Sequence, residues 1–96
     1  MNKNILVLPG DGIGQEVTAS ATKVLEFLIE KYSLDFSVTS MDVGGTAYDQ
    51  YGSPLPEEVL NSAKEADAIL FGAVGGPKWD NLDWDVRPEN ALLTLR

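Results

Sequence analysis

Three short apolar runs, separated by stretches of helical period, leave few folds open to this chain. Asn4 to Leu8 (NILVL) is apolar almost throughout and stops at Pro9 and Gly10, the pattern of a strand covered on both faces in a parallel sheet. Leu34, Phe36 and Val38 alternate with Asp35, Ser37 and Thr39. That is the period of a strand with one wetter face, running to about Met41. Asp67 to Val74 (DAILFGAV) is the third run. Between the first two, Val17, Ala21, Val24, Leu25, Leu28 and Ile29 recur at helical spacing from Gln15 to Lys31, with Glu16, Lys23, Glu26 and Glu30 elsewhere on the wheel. Before the third, Pro56, Glu57 and Glu58 open a helix that runs to Glu65, with proline early and acids at the positive end of the dipole. Strands alternating with helices predict an α/β unit, a mostly parallel sheet with flanking helices.

Ninety-six residues make at most one domain, near the lower limit for a self-sufficient core. The chain stops at Arg96 within a helical pattern, with no Gly, Asn or Pro to end it, so a piece of something longer is expected. With 15 acidic and 7 basic side chains the net charge is −8. Such a field repels phosphate backbones and anionic lipid surfaces, which argues against nucleic acid or a membrane as partner; the same balance also serves solubility. Cysteine and histidine are absent, so disulfides, thiolate nucleophiles, imidazole bases and His/Cys zinc sites are excluded within these residues. The run Ile5 to Leu8 is too short for a signal-peptide core, and no stretch approaches membrane-spanning length. A cytoplasmic location is expected.

The first strand leads into PGDGIG, Pro9 to Gly14, whose three glycines permit tight turning and close approach. A Rossmann fingerprint needs G-x-G-x-x-G, and Gln15 stands where its third glycine belongs; the Walker pattern fails too, because no Gly-Lys-Ser/Thr follows. A compact turn packed on the sheet and a direct ligand contact both stay open. Gly44 to Pro56 (GGTAYDQYGSPLP) is dense in turn residues and predicts a loop with one helical turn around Ala47 to Gln50. Tyr48 and Tyr51 suit a core edge better than a ligand. Gly75 to Val86 (GGPKWDNLDWDV) leaves the carboxyl end of the third strand, the side on which open α/β sheets bind ligands. Asp80, Asp83 and Asp85 lack the order of acids, glycine and distal glutamate of an EF-hand, which favours a solvated loop over a metal site. Trp79 and Trp84 are expected to be packing anchors ahead of stacking platforms.

Pro88 fits the first turn of a helix, and the residues after it are mostly helix formers. On that helix Glu89, Leu92, Leu93 and Arg96 fall at i, i+3, i+4 and i+7, one face by the helical period. An acid and a base bracket two leucines along this stripe, an arrangement suited to a small ligand with an anionic end and an alkyl end.

LPGDGIGQEV near the start, GAVGGPKWD after the third strand and RPENALLTLR at the end stand in an order and spacing that resemble the N-terminal portion of the isocitrate/isopropylmalate dehydrogenases, a β-decarboxylating family. The resemblance covers the whole chain and roughly the first quarter to third of such an enzyme. It implies a partial isopropylmalate dehydrogenase-like fold that is not a standard Rossmann domain, with residues 1–96 as the N-terminal part of the first domain and no complete second domain. It also implies oxidation of a 2-hydroxy acid with NAD, then loss of carbon dioxide, aided by Mg or Mn in a homodimer with shared active sites. By the same resemblance Arg96 binds a substrate carboxylate, which suits its planar fork. Leu92 and Leu93 contact an isopropyl group, and Glu89 lies near the nicotinamide. Gly76, Pro77, Lys78, Trp79, Asp80, Asn81, Leu82, Asp83, Trp84, Asp85, Val86, Arg87, Pro88 and Glu89 match the cofactor-contacting region. Isocitrate enzymes typically place a small hydroxyl residue on this helix for an additional carboxylate, so the leucine pair points to 3-isopropylmalate and leucine biosynthesis. Ala91 stands where glycine is common, and Asp83 to Val86 is more acidic than usual. The family's tyrosine and lysine acid/base pair, further arginines, aspartate metal ligands and adenosine-binding segment match regions beyond Arg96. No catalytic residue is therefore expected here, and these 96 residues alone are expected to be inactive. The alternatives are a sibling dehydrogenase acting on tartrate, isocitrate or homoisocitrate, and a small α/β binding module without catalysis.

Overall fold

The computed structural model describes residues 2–96. Strands β1 (Lys3–Gly10), β2 (Phe36–Ser40) and β3 (Ala68–Ala73) form a parallel sheet in the order β2-β1-β3. Helix α1 (Ile13–Tyr32) connects β1 to β2, and α2 (Gly45–Tyr51) and α3 (Glu57–Glu65) connect β2 to β3. Two single 3-10 turns, Pro77–Trp79 and Trp84–Val86, lead to the last helix, α4 (Pro88–Leu95).

The central strand explains the core. Leu6, Val7 and Leu8 are all buried, and alternate residues of a strand face opposite sides of the sheet. Leu6 and Leu8 enter one cluster with Val43, Val59 and Ala91, flanked by Met41, Leu55, Phe71, Val74 and Leu95. Val7 faces the other side, toward Thr18 of α1. Full burial of a leucine such as Leu8 contributes on the order of 1.5–3 kcal/mol, so β1 is the element on which the unit depends most. At the start of α1, a Cβ on Gly14 would fall on the Pro9 carbonyl and crowd the Ala73 backbone. Glycine there lets the helix lie directly on β1 and β3.

Four expectations need correction. Strand β1 continues through Pro9 and Gly10, because Gly10 still pairs with Ala73 of β3. Helix α1 starts at Ile13 and takes Gly14 into its first turn. Gly44 to Pro56 is not largely loop, since Gly45–Tyr51 forms about two helical turns. Finally, the apolar stripe of α1 is wider than the sheet beneath it: Val17 and Val24 are exposed, whereas Gly14 and Thr18 are buried.

Candidate functional site

Because all three strands are parallel, their carboxyl ends lie on one side, and the segments that leave them meet there. One side chain joins the three. Asp11 directly follows β1 and is 2% exposed. Its Oδ2 accepts hydrogen bonds from the Gly45 N–H at 2.7 Å and the Gly75 N–H at 2.9 Å. Its Oδ1 accepts from the Thr46 N–H at 2.7 Å and the Thr46 hydroxyl at 2.9 Å. Gly45 and Thr46 follow β2, and Gly75 follows β3. A buried acidic side chain is tolerated when donors saturate it, and this one has four. It also stands in for the missing N-cap of α2, whose own Gly44 carries no capping side chain. Gly44 has φ 80, and a Cβ there would lie 2.5 Å from Asp11 Oδ2. Both the close approach and the left-handed backbone require glycine.

A second tie joins α2 to the segment after β3. The Asp49 carboxylate of α2 accepts from Lys78 Nζ at 2.7 Å and from the Trp79 indole N–H at 3.2 Å. The Lys78 hydrogen bond, then that of Trp79, hold the Asp49 carboxyl below its ordinary value of 3.8. The Trp79 ring lies where a Cβ on Gly45 would be, so the indole rests flat against bare helix backbone. Trp79 is thus a packing anchor, while Trp84 is 52% exposed and anchors little. Tyr48 is half-buried and Tyr51 exposed.

Helix α4 sorts its residues by face. Pro88 and Ala91 are buried and Leu95 packs on the core; Glu89, Leu93 and Arg96 remain exposed, and Leu92 lies at the border. The predicted stripe therefore exists as a solvent-facing row of acid, leucine and base, with Leu92 half-turned toward the core. The carboxylate of Glu89 comes back over Gly75: a Cβ on Gly75 would stand 3.2 Å from Glu89 Oε1. Asp80 to Val86 bends back toward α4 through internal bonds. Arg87 Nε donates to the Leu82 carbonyl at 2.9 Å, and Asn90 Nδ2 to the Asp85 carbonyl at 3.1 Å. Of the Gly76–Glu89 set, the structure brings Lys78 and Trp79 against α2 and Glu89 against Gly75. Asp80, Asn81, Asp83 and Asp85 stay in solvent.

A cleft of about 160 Å³ beside α4 is lined by Leu55, Leu60, Asp85, Asn90, Ala91 and Thr94 among others. It lies on the flank away from the Glu89, Leu93 and Arg96 row. Among the described residues, no group of three or more Asp or Glu is placed to hold a metal ion, and no helix is long and apolar enough to cross a membrane. Asp11 and Asp49 were not singled out as site residues from sequence. For Asp11 a signal existed, an acid fixed between two glycines at the end of a strand; for Asp49 none did.

The isocitrate/isopropylmalate dehydrogenase family model matches residues 4–96. The 3-isopropylmalate dehydrogenase of Hydrogenovibrio crunogenus is 60% identical over all 96 residues, which make up 27% of that protein. A β-decarboxylating dehydrogenase from Thermococcus kodakarensis superposes with a TM-score of 0.63 at 34% identity, over 78% of this chain and 21% of that one. For the isocitrate dehydrogenase of Methylococcus capsulatus the TM-score is 0.58 at 29% identity, over 82% and 23%. The chain thus spans about 27% of the length of the curated relatives it matches.

Proposed function

The chain belongs to the isocitrate/isopropylmalate dehydrogenase family, and from that premise we propose that it forms the N-terminal part of the first domain of an NAD-dependent 3-isopropylmalate dehydrogenase. The parent enzyme would be a cytoplasmic homodimer that oxidises and decarboxylates 3-isopropylmalate in leucine biosynthesis. The observation that carries this reading is the row on α4. Glu89, Leu93 and Arg96 are solvent-facing, while Pro88, Ala91 and Leu95 fix the helix to the core. Such a helix is a rigid base that offers a guanidinium for a carboxylate and an alkyl surface for an isopropyl group, within reach of one another. Leu92, at the border of the same face, extends the alkyl surface.

For NAD, the residues present fit one wall of a site. Lys78 and Trp79 are tied to α2, and Glu89 stands over Gly75 at the head of the segment, at the carboxyl end of the sheet. Bound there, NAD would accept the hydride; Glu89 and the tied backbone would orient its edge. For Mg or Mn the described residues do not fit, because no acidic group of sufficient number converges. The metal would have to be held by residues other than those described. With no acid/base pair in place, these 96 residues bind and orient but do not turn over substrate.

A graft tests this. Residues 1–96 replace the matching region of the Hydrogenovibrio crunogenus enzyme, to which they are 60% identical. NAD-dependent oxidation of 3-isopropylmalate is expected in the graft and absent in the isolated chain. Arg96→Ala should lower kcat/KM by roughly 100-fold or more, as expected for loss of a charge-paired substrate contact. A folded graft that prefers isocitrate would overturn the substrate assignment.

A further inference from the structure

We infer that Asp11 is a positioning residue for the cofactor-facing segment and acts through Gly75, from which that segment departs. The inference rests on the proposal that Gly76–Glu89 faces NAD. Asp11 is 2% exposed, and the ion pair seen among the described residues, Lys78 with Asp49, does not involve it. Its oxygens are used up by backbone and hydroxyl donors from the segments after β2 and β3, and its own N–H donates to the Ala73 carbonyl at 2.7 Å. That last bond fixes Asp11 to the end of β3, two residues before the amide it holds. Gly75 has φ 106, a conformation in which the chain turns sharply and its N–H points back to the carboxylate. The same residue lies under the Glu89 carboxylate. Asp11 therefore sets where the segment starts, and Glu89 returns to that point from its far end.

The two oxygens divide the work, which separates positioning from bulk stability. Oδ2 serves Gly45 and Gly75, whereas Oδ1 serves Thr46 alone. In Asp11→Asn the amide oxygen can keep the Oδ2 place. The amide nitrogen then faces Thr46, donates to its hydroxyl and leaves its N–H without an acceptor. Asp11→Ala removes both.

The test uses the full-length graft, with hydrogen exchange followed by mass spectrometry and steady-state kinetics on both variants. In Asp11→Ala, exchange over Gly75 to Trp79 and the KM for NAD should each rise roughly tenfold or more, with the KM for 3-isopropylmalate within about threefold. In Asp11→Asn, exchange should rise at Thr46 but not at Gly75, and the KM for NAD should stay within about threefold of the parent. Unchanged exchange at Gly75 in Asp11→Ala, or a parallel rise of both KM values, overturns the inference. Loss of the far-UV helical signal in both variants does so too, since Asp11 would then support the whole fold. If exchange rises at Gly75 while the KM for NAD stays put, Asp11 positions the segment and the cofactor role of the segment falls. If the graft has no NAD-dependent activity, the proposed function fails, and the exchange pattern alone decides for or against Asp11.

Discussion

Asp49 shows how an exposed acid can serve a site without entering it. Its carboxyl is held below 3.8, first by the hydrogen bond from Lys78 and then by that from Trp79. A depressed folded-state value means that the tie is fully present above the unfolded value and weakens as pH falls through the lower, folded one. Neutral and mildly acidic solutions therefore leave it intact. An NMR titration of the Asp49 carboxyl carbon should give a midpoint below 3.8, and Lys78→Met should move it up toward 3.8. A midpoint unmoved by Lys78→Met would mean that the 2.7 Å contact does not persist in solution. The pairing was not legible in the sequence, because Asp49 and Lys78 are 29 residues apart and neither carries a local motif. The row on α4 was legible for the opposite reason: Glu89, Leu93 and Arg96 are related by the helical period alone, which needs no knowledge of distant contacts.

At the scale of elements the same divide recurs. Strands β1 and β3 and helices α1 and α3 announce themselves through unbroken apolar runs or amphipathic spacing, which are local patterns and do not depend on how much of each face is finally buried. Helix α2 does not. Its first N–H groups are capped by Asp11 from 34 residues away, and its bare Gly45 backbone is covered by Trp79, so its stability comes from neighbours and the local sequence reads as loop. Gly45→Ala tests this. In an ordinary helix interior the change stabilises by roughly 0.5–1 kcal/mol. Here the new methyl would occupy the place of the indole, and overpacking of this kind costs about 1–3 kcal/mol. Both tryptophans of the chain lie in the segment after β3, so emission reports on that segment. Gly45→Ala should shift the emission to the red and lower the urea midpoint. An unchanged spectrum with a raised midpoint would show that Trp79 does not rest on α2.

Taken together, the described residues are open on one side. Its radius of gyration is 13.9 Å and its extents 45 × 25 × 21 Å, against about 12.5 Å for a compact chain of this length. Its accessible surface of 6057 Å² exceeds by roughly a tenth the area expected from mass. Part of that surface is apolar. Ile13, Val17, Val24 and Leu28 along α1 and Ile69 on β3 are all exposed. A cleft of about 350 Å³ runs between these elements, lined by Ile5, Ala21, Val24, Leu25, Leu28, Ala68, Ile69 and Leu70. Strand β3 is also an edge of the sheet, with unpaired backbone groups on its outer side. An apolar groove beside a free strand edge favours association, whereas a net charge of −8 opposes it. Salt decides between the two, because it screens the repulsion and leaves apolar burial intact. The isolated chain should therefore bind a hydrophobic dye such as ANS. Its sedimentation should move from 10.4 kDa to larger species as ionic strength rises. Val24→Glu together with Ile69→Lys places charge on both walls of the groove, and should abolish dye binding and keep the chain monomeric at high salt. A parent chain that stays monomeric and dye-free across that range would mean that α1 shifts to close the groove in solution.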